Sequence, residues 1–231
     1  MHNILEIIKH KLVVSCQAEE GDPFNSPEGV TLMAKAAVMG GAAAIRSRDF
    51  DKTKMIAESV DVPVIGLTKD YFPDGTVRIT GSFNEAELIL KSGCHMIAID
   101  GTFRERENLS GPDFISEVKK RFNCLIMADI STAEEAAACE NAGADCVSTT
   151  LSGYTPYTQT DSKLPDYELV KELTQNLRIP VIAEGRINTP ENASLMITYG
   201  AWSIVAGTAI TRPRVVTSWY ADAIKKTLIK N

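Results

Sequence analysis

Eight short runs rich in valine and isoleucine alternate along the chain with helical stretches, and that rhythm leaves few folds open. The runs are LVVSCQ (12–17), AAAIRS (42–47), VPVIGLTK (62–69), HMIAID (95–100), CLIMADI (124–130), DCVSTT (145–150), IPVIAEG (179–185) and SIVAGTA (203–209). Each is brief and lacks a long in/out alternation, as parallel strands covered on both faces require. The helices between them have readable ends. STAEEAAACENAGAD (131–145) places Ser131 three residues before Glu134, a capping-box spacing, and stops at Gly143. NTPENASLMITYGA (188–201) offers Thr189 as cap, Pro190 at the first helical position and Gly200 as terminator, and SFNEAELILKSGC (82–94) ends at Gly93. Eight strand–helix repeats predict an α/β chain closed into a (β/α)8 TIM barrel. An open doubly wound sheet would want an early G-x-G-x-x-G turn with an acid downstream, and the sequence has none. Residues 1–10 read as a short helix at the barrel bottom, and VRITGS (77–82) as a small hairpin in the third βα loop. No linker or low-complexity segment interrupts the rhythm, so one barrel domain over 1–231 is expected.

Composition narrows the partners. A formal charge of −6 argues against nucleic acid or an anionic membrane, though not against a small anion. The five cysteines (16, 94, 124, 139, 146) are odd in number and form no C-x-x-C pair, which predicts free core thiols in a reducing, cytoplasmic compartment. Cys16, at a strand end, is a candidate nucleophile, but a free cysteine is ordinarily a small buried hydrophobe. MHNILEIIKHK lacks a long apolar h-region, and no apolar run approaches about 18 residues, so neither a leader nor a membrane span is expected.

In a barrel of this kind, chemistry sits where strands run out into βα loops. The polar residues there are Gln17, Arg46, Lys69, Asp100, Asp129, Thr149, Thr150, Glu184 and the AGT at 206–208. Taken singly, each reads as a solvated loop residue or half of an ion pair. Two features tip the balance. EGRI after the seventh strand and AGTAITRP after the eighth put glycines where backbone N–H groups can approach an anion, the phosphate position of phosphate-binding barrels. Gly185, Arg186, Gly207 and Thr208 would donate main-chain bonds there, with Arg212 adding charge. The second feature is a scarcity of histidine. His2 and His10 precede the barrel and His95 starts its strand at the wrong end, so proton transfer falls to lysine and carboxylates and no familiar zinc site forms. The third and seventh strands lie opposite each other in a ring of eight, which sets Lys69 against Glu184 across the mouth. Two proton-transfer groups on opposite faces of one carbon suit an inversion of configuration.

In order, VVSCQA, AAAIR, PVIGLTK, IMADIST, STTLSGYTPYT, VIAEGRI and AGTAITRP resemble the N-acylglucosamine-6-phosphate 2-epimerases over about residues 12–215. AEGR and GTAITRP alone would be shared with other phosphate-binding barrels; IMADI with TTLSGYT is more specific. The resemblance implies conversion of N-acetylmannosamine 6-phosphate to N-acetylglucosamine 6-phosphate in sialic acid catabolism, by removal and return of a proton at C2. It implies Lys69 as catalytic lysine with Glu184 as its acidic partner. It implies Gln17, Arg46 and Asp129 as sugar-binding groups, with Thr150 and Tyr154 beside them, and a phosphate clamp of Gly185, Arg186, Gly207, Thr208 and Arg212. No metal or organic cofactor is called for, and a homodimer through the terminal helix VVTSWYADAIKKTLI is suggested. As base, Lys69 must be neutral, through desolvation or a cation such as Arg46. Whether Glu184 returns the proton, or Lys69 makes both transfers while Glu184 positions the sugar, stays open. So do a Schiff-base aldolase, a non-catalytic phosphosugar-binding barrel, a metal-dependent epimerase using Asp100, Asp129 and Glu184, and a lid role for Tyr154 and Tyr157.

Overall fold

The structure, a computed structural model, describes residues 4–229; His2 and the start of the expected 1–10 helix lie outside the described residues. The barrel strands are β1 (Leu12–Cys16), β2 (Ala44–Arg48), β3 (Val64–Leu67), β6 (Met96–Asp100), β7 (Ile126–Asp129), β8 (Cys146–Ser148), β9 (Val181–Glu184) and β10 (Ser203–Ala206). They pair in parallel in that order, and β10 closes on β1 with Leu12 beside Ile204. Between β3 and β6 a two-stranded antiparallel hairpin, β4 (Lys69–Tyr71) and β5 (Val77–Ile79), stands on the barrel rim. The expected hairpin is therefore present, but its first strand begins at Lys69. The third barrel strand ends at Leu67, two residues earlier than the sequence suggests, and the eighth ends at Ala206.

Side-chain parity, period two along a strand, sorts residues between two cores. Val13, Ala44, Ile65, Leu67, Met96, Ala98, Met127, Cys146, Ile182 and Val205 point inward and pack as one cluster. Their neighbours Val14, Ile45 and Val64, or Ile97, Ile99, Ile126, Ala128 and Val147, point outward under the helices. Both faces are thus dry, which is why the strands read as unbroken apolar runs. Helix α1 (Ile4–Ile8) joins the inner cluster through Ile4, Leu5 and Ile8, and the Trp202 indole N–H donates to the Leu5 carbonyl at 2.8 Å. On β3 the outward position beside Val64 is Gly66 for a steric reason. A Cβ there would lie 2.9 Å from Ile89 and 3.0 Å from Cys94, so a larger residue would force helix α4 (Phe83–Leu90) off the sheet.

The remaining helices are α2 (Pro27–Met39), α3 (Phe50–Ala57), α5 (Gly111–Phe122), α6 (Ala133–Asn141), α7 (Tyr167–Asn176), α8 (Pro190–Thr198), α9 (Thr208–Thr211) and α10 (Pro213–Ile229). Thr189 caps α8 through the Asn192 N–H with Pro190 in the first turn, and Gly93, Gly143 and Gly200 take the positive φ expected of helix stops. The capping box of α6 is shifted by one residue from its expected place. Thr132 accepts from Glu135 N, and Glu135 reaches back to the Thr132 N–H. Ser131 still takes part, since its N–H and hydroxyl both donate to Glu135 Oε2 at 2.8 Å. No described helix is long and apolar enough to cross a membrane.

Candidate active site

The inward face of each strand changes character from bottom to top. Val13 is followed at the same parity by Ser15 and Gln17, Ala44 by Arg46 and Arg48, Met127 by Asp129, Cys146 by Ser148, Ile182 by Glu184, and Leu67 by Lys69. Apolar residues fill the barrel and polar ones floor its mouth. There they line a cavity of about 250 Å³, whose wall includes Ser15, Gln17, Glu19, Arg46, Lys69, Thr150, Tyr154 and Glu184. Gly185, Arg186, Gly207, Thr208 and Arg212 complete the other side. Of the twelve residues that the family resemblance implies for the site, only Asp129 is absent from this wall.

Asp129 lies beneath it, fully buried, and holds Arg46. The Arg46 guanidinium, 1% exposed, sends both its terminal nitrogens to Asp129 and NH1 also to Glu184 Oε2 at 2.7 Å. The Thr150 hydroxyl, on a 3-10 turn after β8, lies 2.8 Å from Asp129 Oδ1 and 3.1 Å from Glu184 Oε2. Desolvation by this setting lifts the Glu184 carboxyl to about 7; the Asp129 charge adds to the rise and Arg46 opposes it. Glu184 is therefore a carboxyl that can both hold and release a proton near neutral pH.

Lys69 belongs to a second network on the opposite side of the ring. Burial pushes its ammonium below the ordinary lysine value, the Arg48 and Arg212 charges add to the fall, and Glu19, 3.4 Å from Nζ, resists it. The expected helper cation, Arg46, is committed to Asp129 and Glu184, and Arg48 and Arg212 take its place. Glu19 itself accepts from Arg212 at 2.5 Å and lies 3.7 Å from Arg48. Burial alone would raise its carboxyl, but Lys69, Arg212 and Arg48 together hold it below the usual carboxylate range. Neither Glu19 nor Arg48 figured in the sequence reading. The available signal was parity, since 15, 17 and 19, like 46 and 48, share the inward register.

The loop after β9, an expected phosphate loop, is shaped by two residues with positive φ, Gly185 at 106° and Arg186 at 55°. For arginine that conformation is sparsely populated, and its side chain is anchored: Nε donates to the Leu164 carbonyl and NH1 to the Ser152 carbonyl, both at 2.7 Å. The guanidinium thus staples the loop carrying Tyr154 and sits 5.5 Å from that ring. Gly207 precedes α9, whose opening N–H groups lack intrahelical partners as at any helix start.

Other candidates lie elsewhere. Asp100 points inward but is sealed under Arg104 and Arg106 at 2.8 and 3.1 Å. The Tyr157 hydroxyl donates to Glu135, away from the cavity wall, so of the two tyrosines only Tyr154 faces the pocket. Burial pushes the Cys16 thiol up to about 12, which removes it as a nucleophile. His95 accepts from the Val64 N–H at the bottom of β3. Among the described residues, no cluster of three or more His, Cys, Asp or Glu side chains is placed to hold a metal ion.

Residues 30–226 match the family model NanE, described as "Putative N-acetylmannosamine-6-phosphate epimerase". A Clostridium perfringens protein named "Putative N-acetylmannosamine-6-phosphate 2-epimerase" is 44% identical over 96% of this chain and 100% of its own length. A protein of the same name from Caldanaerobacter subterraneus is 41% identical over 99% of this chain and 97% of its own. Among solved structures, the N-acetylmannosamine-6-phosphate 2-epimerase of Clostridium perfringens superposes with a TM-score of 0.89 at 42% identity, covering 96% of each chain. A thiamine phosphate pyrophosphorylase from Pyrococcus furiosus, at 18% identity and a TM-score of 0.64, shares the fold alone.

Proposed function

The chain belongs to the N-acetylmannosamine-6-phosphate epimerase family, and from that premise we propose how its own residues carry out the reaction. The protein is an isomerase that converts N-acetylmannosamine 6-phosphate to N-acetylglucosamine 6-phosphate, an inversion at C2 of an amino sugar. In the open-chain sugar, C2–H is α to the C1 aldehyde. Breaking that bond leaves the electron pair delocalised onto the carbonyl oxygen as an enediolate-type intermediate. Delivery of a proton to the other face of C2 restores the aldehyde with inverted configuration.

The observation that carries this reading is the placement of two separately tuned proton carriers, Lys69 just past β3 and Glu184 at the end of β9, strands four apart in the ring, on the wall of one cavity. Neutral Lys69 takes the C2 proton from one face and protonated Glu184 gives one to the other. In the reverse direction the roles exchange, because the product of one passage is Lys69 ammonium and Glu184 carboxylate. Arg46, held by Asp129, fixes Glu184; Thr150, Gln17 and Tyr154 contact the sugar; the 185–186 and 207–208 main chain with Arg212 holds the phosphate.

Incubation with N-acetylmannosamine 6-phosphate in D2O, followed by proton NMR, tests this. Product carrying deuterium at C2 is expected. Lys69→Ala is expected to slow turnover by at least about 10²-fold while sugar-phosphate binding persists. Full turnover in that variant, or product that retains C2 protium throughout, would exclude the scheme.

The substrate class leaves no need for nucleic acid or membrane, and five unpaired cysteines support a reducing, cytoplasmic setting. A homodimer is part of the same proposal. Helix α10 does not pack on the barrel wall: its Trp219, Tyr220, Ile224 and Leu228 are 41–71% exposed. Tyr220, Ile224 and Leu228 recur at four-residue spacing, so they form one apolar stripe, and such a stripe asks for a partner.

A further inference from the structure

Glu19 stands in the loop after β1, where one carboxylate touches three cations of the site. Its Oε1 accepts from Arg212 at 2.5 Å and from Lys69 at 3.4 Å, and its Oε2 lies 3.7 Å from Arg48. Two of those cations, Arg212 and Lys69, line the cavity, and so does Glu19 itself. An arginine whose NH2 is committed to a carboxylate cannot offer its whole fork to a phosphate, which is the better bidentate acceptor because it carries more charge on more oxygens.

The two ion-pair systems of the site also differ in freedom. Arg46 and Asp129 are 1% and 0% exposed, locked beneath the floor, whereas Glu19 is 28% exposed and has solvent to move into. Its main chain is fixed independently of its side chain: the Glu19 N–H donates to Asp22 Oδ2 at 3.1 Å, and the Asp22 N–H donates back to the Glu19 carbonyl. The carboxylate can therefore swing while the loop stays in place.

We propose that Glu19 is a positioning residue that stands in for the substrate phosphate in the free protein, keeps Arg212 and Lys69 arrayed around it, and is displaced when the phosphate binds. The proposal rests on the phosphosugar reading above. It makes Glu19 a specificity element. Any anion must break the Glu19 pairs to enter, and only a phosphate that carries the sugar recovers the loss through contacts deeper in the pocket. Free phosphate is thereby disfavoured as a competing ligand.

Lys69 feels the exchange directly, because the charged groups facing it are Glu19, Arg48 and Arg212. With Glu19 in place the ammonium form is favoured. In the complex Glu19 has already left, so its removal by mutation changes the free enzyme more than the bound one.

The test is Glu19→Gln, with inorganic phosphate as titrant in calorimetry and N-acetylmannosamine 6-phosphate in kinetics. Roughly fivefold tighter phosphate binding is expected, with a fall in KM of similar size and kcat little changed. The Lys69 limb of the kcat/KM–pH profile should move to lower pH, and that of kcat should stay. Asp70→Asn removes an equal charge one residue from Lys69, and phosphate affinity there should remain within about twofold. A folded Glu19→Gln protein that binds phosphate no tighter, or whose two profiles shift together, overturns the proposal. Should that variant fail to fold, a crystal structure of the wild type with N-acetylglucosamine 6-phosphate decides it: the Glu19–Arg212 pair should be broken, and an intact pair beside bound phosphate rejects the idea. Absence of wild-type turnover would strike the epimerase mechanism instead.

Discussion

Glu184 is the residue at which the mechanism is most exposed to test. Its carboxyl, lifted to about 7 by desolvation and the Asp129 charge, loses its proton as pH rises through that value. Lys69, pushed below the ordinary lysine value by burial first, gains its neutral form as pH rises. In the proposed scheme activity requires one group protonated and the other not, so the kcat/KM–pH profile should be bell-shaped with one bend near pH 7. Glu184→Gln should remove that bend and cost about 10²–10⁴-fold in kcat; a bend that survives the substitution would assign it to another group. The two limbs belong to the coupled site, and the variant supplies the assignment. At this scale the sequence was eloquent about residues that continue a strand's inward register, as Leu67 leads to Lys69 and Ile182 to Glu184. It misplaced the cation facing Lys69 by naming Arg46, because Arg46 and Arg48 share one parity and only the depth of Asp129 decides that Arg46 is taken.

Helix α6 shows what a single element does for the loops around it. Its third residue, Glu135, is wholly buried, and its carboxylate accepts from the N–H groups of Phe103, Ser131 and Thr132 and from the Ser131 and Tyr157 hydroxyls. Those groups come from the loops after β6, β7 and β8, so a cap that looks local ties together three rims of the mouth. Glu135→Ala would leave several buried donors without acceptors and should destabilise the fold by about 3 kcal/mol. Urea unfolding would read this, and a loss within ~0.5 kcal/mol would show the loops to be held otherwise. The shift of the capping box from Ser131 to Thr132 has the same origin. Ser131 and Thr132 both suit a cap by type, and the choice follows from where β7 ends at Asp129, which depends on its pairing with β8. Strand existence is written in local composition, whereas strand ends are set by neighbours distant in sequence. That is also why the third strand stops before Lys69, once the antiparallel pull of Val77–Ile79 turns 69–71 into a hairpin.

For the whole molecule, closure of the ring was legible because the strand count and the dry faces of each strand leave one economical solution. The state of association was less so. The resemblance suggested the terminal helix VVTSWYADAIKKTLI as a dimer element, but its sequence does not say whether the helix lies on its own barrel or faces away from it. If the exposed stripe joins two chains, sedimentation should give twice the mass of one chain, and Ile224→Glu should shift the distribution toward monomer with concentration dependence. A monomeric wild type at micromolar concentration would dismiss the dimer. The inner cluster described above, running from Ile4, Leu5 and Ile8 up to Leu67 and Leu151, has one more consequence. Among the described residues it stoppers the barrel as a cork does a flask, so the site opens at the mouth and not through the bottom. In the proposed scheme substrate, product and the solvent that returns Lys69 and Glu184 to their starting protonation would all pass by that mouth, one after another. Each passage would then leave the enzyme in a form suited to the reverse reaction until that traffic clears, which makes its readiness for the next sugar a matter of turn-taking at the door.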